Sequence, residues 1–234
     1  MCADRRPRAR RSRLRDDAAR PLERGGRARR GGRSVKVALA DYGAGNLRSV
    51  CAALERAGAA PAVTRDPVQV REAPLAVVAG VGHVASAAAG LARHRLDGAL
   101  RERAAAGRPL LGICVGMQLL FEASEEGGRG LGLVPGPVRR IRARRVPHMG
   151  WNTLSVRDSS VLLSALDGRD VYFAHAYAAC PCSPDDVAAT VDHDGEIVAA
   201  VEHGALAGVQ FHPERSGAAG AVLLANALRW SRSG

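Results

Sequence analysis

A chain of 234 residues with 47% hydrophobic residues is long enough for one α/β domain with a sizeable core, and it contains no apolar run near the roughly 20 residues that span a bilayer. The formal charge of +11 resembles a nucleic-acid signal until it is located: residues 1–34 hold thirteen Arg against four acids (Asp4, Asp16, Asp17, Glu23), a local +9 that leaves only +2 for residues 35–234. The basicity therefore belongs to a tail, and the remainder shows no DNA or RNA motif, which argues against a nucleic-acid partner.

Residues 1–34 are rich in Arg and Gly and lack any apolar period, so a disordered extension is expected there. The segment has no apolar core of a secretory signal, and its four acids and few Ser fit a transit peptide poorly. The five Cys (Cys2, Cys51, Cys114, Cys180, Cys182) are scattered, and reduced thiols in a cytoplasmic protein without a membrane anchor are the expectation. Cys180-Pro181-Cys182 has no second pair at zinc-site spacing, so neither a metal nor another cofactor is expected.

Chain order then gives a strand over 35–41, a Gly-rich turn over 42–46, and a helix over 47–57 closed by Gly58 in the C′ position. Brief strands follow over 62–64 and 75–79, the second ending at Gly80-Val81-Gly82. The Ala/Leu/Arg segment 86–106 reads as helix with an interruption near Asp97-Gly98, after which Gly107-Arg108-Pro109 leads into a strand over 110–113. This alternation predicts a parallel sheet covered on both faces, with reactive groups at the carboxyl ends of strands: the loops after Asp41, Ala79 and Ile113. The second half reads as short strands over 134–142, 153–156, 171–174, 187–191, 197–202 and 208–211, joined by turns such as Asp194-Gly195 and His203-Gly204, with a closing helix over 219–230. A single domain over 35–234 is expected.

Gly112-Ile113-Cys114-Val115-Gly116 sets a cysteine between two glycines, directly between strand and helix. That is the cysteine form of a nucleophile elbow, in which flanking residues without side chains let a tight turn lift the central residue out of the sheet. At a helix N-terminus the thiolate is favoured by the macrodipole and unpaired N–H groups, and the Val115 N–H faces a developing oxyanion. A small buried hydrophobe is the competing reading of Cys114. Farther on, His212-Pro213-Glu214 ends a strand. If the segment is extended, His212 and Glu214 project to one side, so that Glu214 holds the imidazole while His212 takes the Cys114 proton. Alone, this tripeptide is more often a surface turn; combined with the cysteine elbow it favours catalysis.

Residues 112–118 (Gly-Ile-Cys-Val-Gly-Met-Gln) and His212-Pro213-Glu214 resemble the nucleophile and base motifs of triad glutamine amidotransferases. Blocks at 41–50, 121–127, 147–152 and 210–217 resemble, within that family, the glutaminase subunits of imidazole glycerol phosphate synthase, from about residue 35 to the end. The resemblance implies a flavodoxin-like, doubly wound α/β fold: a mostly parallel sheet with short antiparallel strands added in the C-terminal half. It implies a triad of Cys114, His212 and Glu214 that hydrolyses glutamine through a glutamyl thioester. The ammonia then passes to a (β/α)8-barrel cyclase partner in a heterodimer of histidine biosynthesis. Gln118, one turn after Cys114, is implied as a substrate-binding residue, and Gly80-Val81-Gly82 with Val115 as the oxyanion strand and its partner. Asn46, Trp151, His175, Tyr177 and Arg215 are implied near the ammonia exit or partner interface.

The family pattern is departed from in three places: Ala79 where Pro is usual, His83-Val84 for a small-aromatic pair, and Arg215 where Lys is common. The competing functions are a glutaminase serving a pyridoxal phosphate, guanylate or anthranilate system, against which the blocks around Asp41 and Trp151 speak, and a catalytically idle interaction module, against which the intact triad speaks.

Overall fold

The computed structural model describes residues 34–43 and 45–232, so the reading of the Arg-rich extension falls, Ser34 apart, outside the described residues. The first half alternates strand and helix: β1 (Val35–Ala40), α1 (Leu47–Arg56), β2 (Ala59–Thr64), α2 (Pro67–Glu72), β3 (Leu75–Gly80), α3 (Val84–Arg93), α4 (Leu96–Ala105), β4 (Leu110–Cys114) and the single turn α5 (Val115–Gln118). Every residue of β3 and β4 is buried, as continuous apolar strands covered on both faces must be. Helix α1 buries Val50, Ala53 and Leu54, the spacing of one helical face, and ends where the Gly58 N–H bonds the Glu55 carbonyl at 2.9 Å.

Two details differ from the sequence reading. Helix α2, which was not expected, is short but well capped: the Asp66 carboxylate accepts the Val68 N–H at 2.8 Å, and Pro67 holds the first helical position. The break in the long helical segment falls at Arg95, whose φ of 57° ends α3 and starts α4, and not at Asp97-Gly98. Asp97 instead sits in the first turn of α4, where a negative charge suits the helix dipole, and Gly98 is carried inside the helix.

The second half contributes β5 (Ala123–Ser124), β6 (Pro137–Arg140), β7 (His148–Thr153), β8 (Ser155–Val156), β9 (Asp170–His175), β10 (Tyr177–Ala179), β11 (Val187–Asp192), β12 (Glu196–His203), β13 (Leu206–Val209) and the closing helix α6 (Gly217–Trp230). Strand β7 was not legible as a strand because its two large apolar residues point outward, with Met149 65% and Trp151 58% exposed, while His148 is buried.

Among the described residues the main sheet runs β2-β1-β3-β4-β13-β12-β11-β8. The first five strands are parallel in the order 2-1-3-4-5 of the flavodoxin-like fold, and β12, β11 and β8 extend the edge in antiparallel fashion. Strands β10-β6-β5 and the hairpin-like pair β7-β9 form two small sheets of their own. One buried cation stitches the parallel half together. Arg103 of α4 is fully buried, and its guanidinium donates to the carbonyls of Val70, Arg71, Pro74 and Pro109. Burial, then the neighbouring Arg108 charge, lowers its pKa to about 10. Among the described residues no helix is long and apolar enough to cross a membrane.

Candidate active site

Cys114 ends β4 with φ 54° and ψ −112°, a backbone state that costs a non-glycine residue on the order of 1–3 kcal/mol and persists only when its surroundings impose it. The flanking glycines impose it by close approach. A Cβ on Gly112 would lie 2.6 Å from the Gly116 oxygen, and one on Gly116 would lie 1.8 Å from the Val78 oxygen, so β3 and the elbow meet backbone to backbone. The helix that follows is one turn long. The unpaired N–H groups of the turn, more than a macrodipole, are therefore what Cys114 has at hand.

Parallel pairing sets Gly80 beside Cys114, which brings Gly80-Val81-Gly82 alongside the elbow. Val81 is half exposed there, and Gly82 has φ 103°. The departure at His83 has a local use: its Nδ1 lies 2.8 Å from Glu126 Oε1 across the opening.

The base arrives from β13. After Val209 the chain bends at Gln210 and Phe211 and is held by its backbone: the Gln210 N–H bonds the Ala199 carbonyl at 2.8 Å and the His212 N–H bonds the Tyr172 carbonyl at 2.9 Å. The expected extended run through Glu214 is not what forms. Pro213–Arg215 is a 3-10 turn, held by Ser216, whose hydroxyl donates to the His212 carbonyl at 2.7 Å and accepts the Tyr172 N–H at 3.0 Å. The turn folds Glu214 back so that the His212 Nδ1–H donates to Glu214 Oε1 at 2.9 Å. Asn46, in a left-handed conformation at the start of α1, donates to the same oxygen at 2.6 Å. Glu214 Oε2 is buried and makes no hydrogen bond among the described residues.

With Nδ1 engaged, the other nitrogen of the imidazole is left for the neighbouring Cys114 sulfur, whose interaction with the ring favours its charged form. Burial disfavours the charged imidazole, but the hydrogen bonds to Cys114 and Glu214 and their charges outweigh it and raise the His212 pKa to about 10. Sulfur, imidazole and carboxylate thus form one buried chain of donors and acceptors, able to move a proton off the thiol while Glu214 holds the ring.

The sulfur opens onto a cleft of about 230 Å³ lined by Val81, Gly82, Cys114, Val115, Gln118 and Tyr177 among others. Gln118 is buried, and its amide nitrogen donates both to the Tyr177 carbonyl and to Gln210 Oε1, each at 3.0 Å, so only its carbonyl oxygen is left to meet a ligand. His175 also lines the cleft and is likewise tied down. Its Nδ1–H must donate to the Tyr177 carbonyl (2.9 Å), so its Nε2 accepts from His148 Nδ1 (2.9 Å), and His148 Nε2 accepts from the Asn152 amide (3.2 Å).

Two expected residues lie apart from the cleft. Trp151 meets Tyr172 edge to face, and Arg215 stacks over the same Tyr172 ring at 4.1 Å, an outward-facing group of three. Two residues near the sulfur were not singled out from sequence. Tyr42 is buried with its hydroxyl unpartnered among the described residues, and burial, then the Cys114 charge, pushes its ionisation upward. Gln210 is fully buried and donates to Cys114 Sγ at 3.7 Å; its place two residues before His212 in the sequence was the available signal.

Comparison with known proteins agrees with this geometry. The family described as glutamine amidotransferase class-I matches residues 38–229. The imidazole glycerol phosphate synthase subunit HisH of Moorella thermoacetica is 45% identical over 194 residues, covering 81% of this chain and 92% of that one. The HisH subunit of Mycolicibacterium paratuberculosis is 46% identical over 199 residues, covering 82% and 97%. A crystal structure of a glutamine amidotransferase superposes with a TM-score of 0.68 at 20% identity, covering 84% of this chain and 98% of that one, which speaks to the fold alone. The chain therefore belongs to the class-I glutamine amidotransferase family and, within it, to the HisH subunits of imidazole glycerol phosphate synthase.

Proposed function

We propose that this chain hydrolyses glutamine to glutamate and ammonia through Cys114, His212 and Glu214, as the glutaminase subunit of an imidazole glycerol phosphate synthase. The observation that carries the reading is the buried sulfur–imidazole–carboxylate chain opening on a cleft of about 230 Å³. That volume lies below the roughly 300–1,000 Å³ usual for drug-sized ligands and suits one small amino acid. His212 takes the Cys114 proton, the sulfur attacks the side-chain amide carbon, and the proton passes to the leaving nitrogen, which departs as ammonia. Water activated by His212 then cleaves the thioester. Val115 N–H supplies one oxyanion donor and a peptide of Gly80-Val81-Gly82 the other, its glycines permitting the required turn of the peptide.

The ammonia is delivered to a (β/α)8-barrel cyclase subunit, bound over the cleft mouth in a heterodimer. Direct delivery makes chemical sense, because most ammonia released to water becomes ammonium and loses its nucleophilic lone pair. Val81 and Met149, exposed and apolar, line the cleft, and the exposed Trp151, two residues along β7 from Met149, groups with Tyr172 and Arg215 outside it; together they support a docking face on this side. A single domain from residue 35 onward, preceded by an extension without a part in catalysis, completes the reading.

The test is glutamate release by the full chain with and without the cyclase and its nucleotide substrate, together with synthesis by the complex. Cys114→Ala should abolish glutamine-dependent synthesis and leave ammonia-dependent synthesis intact. Glutamine-dependent synthesis near the wild-type rate in that variant would overturn the assignment of the nucleophile.

A further inference from the structure

Gln210 lies on no edge and touches no solvent; it is fully buried, and both ends of its amide are engaged. Its Oε1 accepts from Gln118 Nε2 at 3.0 Å, and its Nε2 donates to Cys114 Sγ at 3.7 Å. Gln118 is itself anchored, because its second amide hydrogen goes to the Tyr177 carbonyl. The two donations from Gln118 fix which end of Gln210 faces which neighbour: an oxygen must meet Gln118, so an N–H must meet the sulfur. The fold brings the same groups together: the chain bends at Gln210 and Phe211 just after β13, and with Phe211 fully buried between them Gln210 and His212 both reach Cys114.

We propose that Gln210 is a further catalytic residue of the glutaminase reaction: its side-chain N–H stabilises negative charge on the Cys114 sulfur, with Gln118 as the positioning residue that holds the amide in this orientation. This rests on the reading of Cys114 as the nucleophile. Sulfur then has two buried partners of different kinds. His212 accepts the thiol proton, and Gln210 offers a donor that never leaves and is stronger towards the anion than towards the neutral thiol. The donor also ties the nucleophile to the cleft. A ligand group donating to the free carbonyl oxygen of Gln118 polarises that amide, which strengthens its donation to Gln210 and, in turn, the donation of Gln210 to sulfur. Substrate occupancy is thereby communicated to the nucleophile through two side chains.

The test uses the full chain and follows the rate of Cys114 alkylation by iodoacetamide against pH, beside steady-state glutamine hydrolysis in the complex. Gln210→Glu keeps an acceptor for Gln118 but turns a carboxylate oxygen towards sulfur; Gln210→Met keeps the volume and removes the donor. In both, the midpoint of alkylation should rise by about one pH unit or more, and kcat should fall by roughly tenfold while KM changes little. A third measurement needs no variant at Gln210: in the 15N-labelled wild-type chain, a Gln210 side-chain amide resonance should follow the titration of Cys114, and the same resonance should lose that titration in Cys114→Ser. Folded Gln210 variants with the wild-type alkylation profile, or an amide resonance indifferent to Cys114, overturn the proposal even if Cys114→Ala is inactive. Activity retained in Cys114→Ala would instead overturn the reading on which it rests.

Discussion

Glu214 shows how much a single side chain depends on neighbours far away in the chain. One of its oxygens receives both His212 and Asn46, so the carboxylate is held in place before any proton moves. Asn46 sits at φ 76°, a conformation that glycine adopts without strain, which allows the hydrogen bond to be removed without disturbing the backbone. Asn46→Gly is therefore expected to lower kcat for glutamine hydrolysis by about tenfold, the value of one charge-assisted hydrogen bond, with KM little changed. Steady-state kinetics at saturating glutamine would check it, and an unchanged kcat would show that Glu214 is held adequately by His212 alone. The elbow glycine Gly116 is a different case, since an added Cβ would meet the Val78 oxygen at 1.8 Å. Gly116→Ala should cost at least about 3 kcal/mol in urea denaturation, because backbone on both sides must move.

At the scale of elements, α4 is fastened by a charge. Arg103 closes the last turn of the helix and reaches four carbonyls at the ends of α2 and on the approaches to β3 and β4. Arg103→Met keeps the packing of the stem but leaves those carbonyls without their donor. It is expected to destabilise the protein by roughly 3–5 kcal/mol, and Arg103→Lys to recover only a small part, because an ammonium cannot reproduce the planar fork. Chemical denaturation of the three proteins would decide it; a Met variant within about 1 kcal/mol of wild type would mean that the carbonyls find other partners.

Across the whole molecule, the buried histidines set a pH window for stability. Burial, then the His193 charge, depresses His148 to about 4, and burial, together with the charges of His148, His193 and His212, depresses His175 to about 3 despite its backbone hydrogen bond. Unfolded histidine titrates near about 6.5, so below that pH the unfolded chain takes up protons that the folded chain refuses, and stability falls as pH drops towards 4 and 3. His212 has the opposite sign. Raised to about 10, it contributes stability in full below the unfolded value and loses it as pH rises through the folded one. The stability maximum is expected between these limbs, and His212→Gln should flatten the alkaline limb while leaving the acid limb in place. NMR titration gives the direct check: the His148 and His175 ring resonances should not move between about pH 8 and pH 5, whereas an ordinary histidine would. On the same scale, deleting residues 1–33 is expected to leave melting temperature and glutaminase turnover nearly unchanged, because no residue of the described core is removed. A large drop in either would show that the segment docks.

What the sequence determined by itself was local. The glycines around Cys114, the tight link from strand to helix, the alternation of strands and helices, and the His-Pro-Glu tripeptide all have causes within a few residues, and each is found in the structure. Even there, the stated reason for pairing His212 with Glu214 failed, because a 3-10 turn and not an extended strand brings them together. Tertiary structure decided the rest. Asn46 meets Glu214 across 168 positions, and Gln118 meets Gln210 across 92, contacts created by strand order and register that no periodicity encodes. The same holds for Arg103, which a helical pattern assigns to a charged outer face until the ends of α2 and β4 converge on it, and for β7, whose apolar residues face outward. Spacing along the chain reports which face a residue shares with its neighbours, and only the packed sheet determines what that face meets.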